Sequence, residues 1–299
     1  MENKRKFGYV SIIGTTNVGK TTLLNQLVKS KVGITSPKPQ TTRNRIAGIR
    51  TYDNAQVVFI DHPGYHIPKF ELNKQMQKKA MKGLKDVDLI ILVLDCTKKI
   101  GPLDKEVLNN LKDLNIKKFV VLNKIDLIKK EEILPLIEEV SFLLNDAEIY
   151  PISALKGTNI EELEKGILEN LPEGEFLFDK EKWTTQSEKF YISEIIREKI
   201  INLVEEEVPH CIAVEIEKIE EDSEKNLMKI FGFIWVEKFT QKPIIIGKGG
   251  RMIKEIGKKA REELEFIFGC KIYLELYVKV KEKWRENLNL IKQLEEDFL

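Results

Sequence analysis

The stretch "GTTNVGKT", residues 14–21, constrains this chain more than any other. It fits G-x-x-x-x-G-K-[ST], a pattern that belongs between a strand and the first turn of a helix. "YVSIIG" before it is a short apolar run ended by glycine, and "KTTLLNQLV" after it has helical spacing. Glycines let backbone N–H groups turn toward a phosphate, and the helix N-terminus adds a positive dipole. Gly14, Thr15, Thr16, Asn17, Val18 and Gly19 would form the cradle. Lys20 would bridge the outer phosphates, and Thr21 would give its hydroxyl to magnesium. "QVVFID", "DLIILVLD", "KKFVVLNKID" and "AEIYPIS" are further apolar runs, separated by amphipathic stretches at 70–85, 102–114 and 130–145. Buried strands alternating with helices predict an α/β domain with a mostly parallel sheet covered on both faces.

The 299 residues suffice for about two domains. A net charge of +1 gives no global argument for nucleic acid or membrane, so any basic site must be local. Cys96, Cys211 and Cys270 are scattered without a Cys-x-x-Cys pair, which fits a reducing cytoplasm and argues against a zinc site. The charged start runs straight into a strand and does not read as a signal peptide. The longest apolar run, "LIILVL" at 89–94, is far short of a membrane span.

Two companions strengthen the first loop. "DHPG" at 61–64 ends a strong strand, and Tyr65 follows it. Asp61 is placed to hold magnesium through water, and the Gly64 N–H to sense a third phosphate. Pro63 suits the turn, and His62 is expected at the surface. "NKID" at 123–126 closes another strand. The Asp126 carboxylate can accept from the ring N–H and exocyclic amine of guanine, a donor pair adenine lacks. Asn123 would anchor the purine from another side, the Lys124 stem would cover its face, and Ile125 fills the variable position. Ser153, Ala154 and Leu155 form a weaker signal, with the Ala154 N–H aimed at the guanine carbonyl oxygen.

This ordered set resembles the translation-factor-like GTPases, so the expected ligands are GTP or GDP with magnesium. "QTTR", residues 40–43, resembles the first switch of the Era, TrmE and EngA group. There the resemblance implies a threonine that reaches magnesium once the third phosphate is present. Thr42 takes that role here, with Thr41 as rival and Gln40 and Arg43 flanking. Lys20, Asn17, Thr42 and Gly64 are the catalytic candidates. Tyr65 stands where Ras-like enzymes carry the water-orienting glutamine, so slow intrinsic turnover is expected. In related GTPases an asparagine at the position of Asn17 helps hold a potassium ion.

Residues 173–189, "EGEFLFDKEKWTTQSEK", break the alternating rhythm and read as a linker between a domain at 1–172 and another at 190–299. The second domain predicts a helix at about 190–207, strands at 211–219 and 227–239, a helix at about 250–267 and a strand at 270–280. A short apolar turn leads into "GKGG" at 247–250. That loop lacks the spacing of a nucleotide loop but matches the G-x-x-G of a KH domain, which clamps single-stranded RNA by its backbone. The α-β-β-α-α-β order is the type II KH arrangement, a smaller α+β fold. From 242 to 261 there are seven basic residues and one acid, whereas 190–299 holds 19 basic and 22 acidic residues. The positive charge is therefore focused on the loop, as a binding groove requires. The RNA-contacting candidates are Lys242, Ile246, Gly247, Lys248, Gly249, Gly250, Arg251, Lys254 and Lys258.

A GTPase domain followed by a type II KH domain resembles the Era family over roughly residues 6–285. The resemblance implies a monomeric cytoplasmic GTPase whose partners are the 3′ end of small-subunit ribosomal RNA and the assembling small ribosomal subunit. It also implies peripheral membrane association, for which the sequence shows no anchor. The chain departs from the family at Thr15-Thr16, at His62, and in "NLNLIKQLEEDFL", whose Leu288, Ile291, Leu294 and Phe298 predict a short packed helix. The rival reading is an RNA-binding protein with a structural, non-cycling nucleotide domain. Intact Lys20, Thr21, Asp61 and Asp126 count against it.

Overall fold

The structure, a computed structural model, describes residues 4–38, 41–65, 84, 86–205 and 208–286. Gln40, the stretch 70–83 and the terminal segment from 287 onward, for which expectations were set out above, lie outside the described residues. The chain divides into two compact units between Thr185 and Gln186.

The first unit is built on a six-stranded sheet. Its strands are β1 (Lys6–Ile13), β2 (Ile46–Thr51), β3 (Ala55–Asp61), β4 (Leu89–Asp95), β5 (Lys117–Asn123) and β6 (Glu148–Ile152), in the order β2-β3-β1-β4-β5-β6. All pairs are parallel except β2 with β3. β2 was not anticipated from the sequence, and it makes the sheet mixed at that edge. Alternate residues of β4 face opposite ways: Leu89, Ile91 and Val93 join one core, and Ile90, Leu92 and Leu94 the other. The first core also takes Leu23, Leu24 and Leu27 of the helix Lys20–Val28 and Leu163 and Ile167 of the helix Ile160–Asn170. The second takes Val107, Leu108 and Leu111 of the helix Pro102–Lys112 and Val140 of the helix Ile133–Leu143. Because β1, β3 and β5 run the same way, their carboxyl ends bring Gly14, Asp61 and Asn123 to one edge, where open α/β sheets bind ligands.

Most of the segment read as a linker is built onto this first unit. The Gln56 side chain takes the N–H groups of Leu177 and Phe178 at 2.9 and 3.0 Å and donates to the Phe178 carbonyl at 2.8 Å. Thr184 donates to the Ala47 carbonyl at 2.9 Å, the Ile49 N–H donates to the Trp183 carbonyl, and Trp183 packs on the core. Backbone groups satisfied in this way hold residues 177–184 on strands β2 and β3.

The second unit begins with the helix Glu188–Leu203, capped by Ser187, whose hydroxyl accepts from the Phe190 N–H. β7 (Ala213–Asp222), β8 (Leu227–Val236), the short helix Lys242–Ile246, the helix Arg251–Phe268 and β9 (Lys271–Val280) follow. The order α-β-β-α-α-β therefore stands. β8 is central, antiparallel to β7 and parallel to β9. Ile195, Ile230, Ile234, Ile256, Ala260 and Leu264 are fully buried between the helices and one face of the sheet.

Candidate functional site

The first loop has the geometry its glycines require. Gly14 has φ 149°, and a Cβ there would lie 2.4 Å from the Val93 carbonyl oxygen. Gly19 (φ 99°) caps the helix Lys20–Val28, and Asn17 is also left-handed at φ 64°. The Lys20 ammonium is buried inside the loop and donates to the Thr15 carbonyl at 2.8 Å. Burial pushes its pKa down to about 8, with Asp61 pulling it back up. Thr15 donates to Asp104 at 2.9 Å, tying the loop to the start of the helix Pro102–Lys112.

Three oxygens meet beside Lys20. Thr21 Oγ1 donates to Asp61 Oδ2 at 2.5 Å and lies 2.8 Å from Thr42 Oγ1. Thr41 instead turns its hydroxyl to the Lys38 carbonyl at 2.8 Å, so Thr42 is the threonine that joins the cluster. Asp61 Oδ1 is buried without a hydrogen-bond partner among the described residues. Burial raises the Asp61 pKa to about 6 against the opposing pull of Lys20, Thr21 and Thr42. A partnerless carboxylate oxygen beside two hydroxyls is a donor set suited to a hard divalent cation such as magnesium. Thr21, Thr42 and Asp61 are the residues that could hold one.

His62 departs from the expected surface position. It is fully buried, and its Nε2 lies 3.0 Å from Ser11 Oγ under the sheet edge. Burial first, then the charges of Arg45 and Lys20, push its pKa down to about 3, so the ring is neutral. Pro63 and Gly64 follow it, and a Cβ on Gly64 would lie 2.9 Å from Thr16 Cα and 3.1 Å from Lys20 Nζ. Tyr65 returns to the first loop by donating its N–H to the Gly14 carbonyl at 3.0 Å, and its ring packs on the second core.

Asn123 is engaged with two neighbouring loops. Its Nδ2 donates to the Val18 carbonyl at 2.8 Å, and its Oδ1 accepts from the Ala154 N–H at 2.9 Å. Asn123 therefore straps three loops together, and the Ala154 N–H is engaged with it. Ser153 Oγ takes the Lys156 N–H at 3.1 Å and shapes the same turn. Lys124, left-handed at φ 72°, donates to the Asn17 carbonyl at 2.8 Å and to Asp95 Oδ2 at 2.6 Å. Burial works against the Asp95 carboxylate, but hydrogen bonds from Lys124 and Thr97 keep its pKa below the usual range. Ile125 opens the turn that leaves Asp126 exposed.

Lys20, Thr21, Thr42, Gly64, Lys124 and Asp126 line one open cleft of about 510 Å³, while Asp61, Ser153 and Ala154 lie outside its lining. Asp126 stands in it with Leu127 and Leu155, which are 66% and 70% exposed. Two exposed leucines flanking a carboxylate suit a flat base with donors on one edge. Sequence reasoning missed Leu127 as a wall and Asp95 as the partner of Lys124. It also missed Ile34, Thr35, Ser36 and Pro37, which line the same cleft. An apolar residue directly after "NKID", as after "SA", was the available signal for the walls. Asn17 is exposed and donates its Nδ2 to the Pro37 carbonyl at 2.9 Å. Arg43 lies among the described residues outside the lining of this cleft.

In the second unit, Gly249 (φ 61°) and Gly250 (φ 76°) are left-handed and have open space where a Cβ would stand. Backbone can therefore approach both closely. Gly247 is closed instead, since a Cβ there would meet Met252 at 2.7 Å. Lys248, Arg251 and Lys254 are exposed, with no carboxylate partner among the described residues. Lys258 lies 3.9 Å from Glu262, one helical turn on. Lys242 opens the short helix and Ile246 closes it, both half-buried.

Residues 9–124 match the 50S ribosome-binding GTPase family, and residues 207–285 match the KH domain. The chain is 46% identical over 287 residues to the GTPase Era of Caldanaerobacter subterraneus subsp. tengcongensis, a match covering 96% of each chain. It is 45% identical, with a TM-score of 0.94, to a crystal structure of Era in complex with MgGDPNP and nucleotides 1506–1542 of 16S ribosomal RNA, covering 97% of this chain and 98% of that one. A crystal structure of a single-substitution variant of Aquifex aeolicus Era bound to GDP·AlF4− gives a TM-score of 0.93 at the same identity and coverage. With both motif-bearing units matched along nearly the whole length, the chain belongs to the Era family of GTPases.

Proposed function

We propose that the protein is a GTP-hydrolysing switch that binds the 3′ end region of small-subunit ribosomal RNA and assists assembly of the small ribosomal subunit. One observation carries this reading. The same chain holds a cleft ending in the exposed Asp126 carboxylate and a G-K-G-G loop in which Gly249 and Gly250 are open to a phosphate backbone. The RNA bound in the related Era complex supports the second half.

In this reading residues 14–19 bind the phosphates through backbone N–H groups, and Lys20 exchanges the Thr15 carbonyl for the outer phosphates. Magnesium held at Thr21, Thr42 and Asp61 would neutralise charge on the outer phosphate oxygens. The Gly64 N–H and Thr42 respond to the third phosphate, which couples nucleotide state to the switch at residues 40–43. Asp126 selects guanine between Leu127 and Leu155, while Asn123 positions the Ala154 turn. Asn17, exposed and with its Nδ2 given to the Pro37 carbonyl, is the residue proposed to hold a potassium ion. Lys248, Gly249, Gly250, Arg251 and Lys254 grip the RNA backbone, with Lys242, Ile246, Gly247 and Lys258 shaping the groove.

No helix among the described residues is long and apolar enough to cross a membrane. The proposed setting is the cytoplasm, as a monomer. Peripheral contact with the inner face of the membrane is the finer expectation and rests on the family resemblance alone. The test is phosphate release from GTP and from ATP, with and without RNA of nucleotides 1506–1542 of 16S ribosomal RNA. Release from GTP alone, together with saturable RNA binding lost in Gly249→Asp, is expected. Equal turnover of ATP, or RNA binding unaltered in Gly249→Asp, would overturn the reading.

A further inference from the structure

Among the described residues the long helices pack on one face of the second unit's sheet, and the other face is met only at one end, where Trp284 packs beside Trp235 and Ala213. On β8, Met228, Ile230, Gly232, Ile234 and Val236 point inward, and Lys229, Phe231, Phe233 and Trp235 point outward. Pairing carries the outer face onto β9: Lys229 stands opposite Tyr273, Phe231 opposite Glu275, Phe233 opposite Tyr277, and Trp235 opposite Lys279. Five aromatic residues therefore share one face. Their ring centroids lie 6.1 Å apart for Phe231 and Tyr273, 5.9 Å for Phe233 and Trp235, and 6.4 Å for Phe233 and Tyr277. Tyr273 and Tyr277 are 49% and 53% exposed. An open groove of about 1020 Å³ runs over one end of this face, with Leu227, Phe231, Tyr273 and Glu275 among its walls.

The charges on the face are sorted. Glu275 accepts from the hydroxyls of both Tyr273 and Tyr277, which fixes the two phenols along the strand. Glu215 accepts from Trp235 Nε1 at 2.8 Å. Glu220 pairs with Lys218 at 2.5 Å, and Asp222 with Lys225 at 3.3 Å. The carboxylates are thus committed. Lys279 instead lies with its Nζ 3.3 Å from the Phe233 ring centre and 5.6 Å from that of Trp235, and Lys281 lies 5.5 Å from Trp235. Neither lysine has a carboxylate partner among the described residues. Aromatic faces with uncommitted ammonium groups at one end suit a ligand made of bases on a phosphate backbone.

We infer that this outer face is a second RNA-binding surface, on which bases of a single strand stack after it leaves the G-K-G-G loop. The inference rests on the proposed reading of the second unit as RNA-binding and adds a site to it. Continuity favours RNA over a protein partner. The short helix Lys242–Ile246, which leads into the G-K-G-G loop, packs against β9. The helix Arg251–Phe268 then runs back to the start of β9, so the loop at its N-terminus lies toward the end of β9 that carries Lys279. A strand passing from the loop meets Lys279 and Lys281 first and the rings of Trp235, Phe233 and Tyr277 next. Outward positions on a strand recur at about 6.6–6.8 Å, roughly twice the 3.4 Å rise of stacked bases, which suits an extended single strand.

The test uses the full chain, RNA of nucleotides 1506–1542 of 16S ribosomal RNA, and nuclease footprinting beside anisotropy titration. Tyr277→Ala combined with Tyr273→Ala is expected to weaken binding about tenfold or more, as loss of base–aromatic stacking does. The protected tract should shorten at one end while its centre, held by the G-K-G-G loop, stays protected. Tyr277→Phe, which keeps the ring, should bind as the unaltered protein does, and thermal unfolding of every variant should be unchanged because both tyrosines are exposed. Affinity within twofold and an unshortened footprint in the double variant would overturn the inference while leaving the loop's role standing. Loss of binding to anionic phospholipid vesicles in that variant, with RNA binding intact, would assign the face to a membrane and overturn it equally. If Gly249→Asp left RNA binding unaltered, the reading beneath the inference would fail first, and the two failures are thereby told apart.

Discussion

Replacing Asn123 with alanine tests the strap that joins the loops of the nucleotide cleft. Asn123 is 2% exposed, and its two partners lie in Val18 and Ala154, at 3% and 1%. The substitution removes two buried hydrogen bonds and strands the Val18 carbonyl and the Ala154 N–H. Each orphaned group costs about 1–3 kcal/mol, so the total is about 2–6 kcal/mol. The strands on either side are pinned by sheet pairing and do not need the strap. The loops at their ends do, because a nucleotide spans both the first loop and the Asp126 turn. Most of the cost should therefore fall on affinity, weakening GDP binding by about 30-fold to about 20,000-fold at about 1.4 kcal/mol per factor of ten. Asn123→Asp sharpens the test. It keeps an acceptor for the Ala154 N–H but sets an oxygen against the Val18 carbonyl, so it should bind no better than the alanine variant. Calorimetry with GDP, beside thermal unfolding of the free protein, reads both quantities. A GDP affinity within about threefold of the unaltered protein would refute the strap's role. A loss of stability with intact affinity would make Asn123 a fold residue only.

Further outcomes follow from the same geometry. Asp126→Asn should weaken GTP binding and admit xanthosine triphosphate, because an amide can donate to xanthine's extra carbonyl; calorimetry with the two nucleotides decides it. Potassium should speed single-turnover GTP hydrolysis relative to sodium at equal ionic strength, and Asn17→Ala should abolish the difference while GTP still binds. Tyr65→Ala should change that rate little, since a ring packed on the core cannot orient water. His62 gives a pH signature. Its pKa is about 3 when folded against an ordinary 6.5, so the unfolded chain binds the extra proton between those values. Its contribution is intact above pH 6.5 and falls as the pH drops toward 3, by at most about 1.4 kcal/mol per pH unit. His62→Asn should flatten that part of the acid-unfolding curve measured by circular dichroism.

What the sequence disclosed follows from which chemistry is local. The first loop, "DHPG" and "NKID" were legible because each needs its residue types at fixed spacing at the end of a strand, and no packing partner enters the pattern. Thr41 and Thr42 could not be separated that way. Their difference is a rotation of the backbone that sends one hydroxyl to the Lys38 carbonyl and the other to Thr21. His62 was misplaced for a related reason: a histidine after Asp61 has no spacing that says which side of the sheet edge its ring takes, and the deciding partner, Ser11, is 51 residues away. β2 escaped because "IAGIRT" mixes glycine and arginine in a short strand, and only its antiparallel pairing with β3 makes it one. The reading of 173–189 as a linker has the same root, since Leu177, Phe178 and Trp183 look like scattered apolar residues until Gln56 and Ile49 take up their backbone groups. Asn123 is the telling case. Its motif gave no sign of the bonds it makes to Val18 and Ala154, and those contacts exist only because β1, β5 and β6 end at one edge. A motif names the atoms that chemistry needs, whereas topology decides what those atoms touch before any ligand arrives.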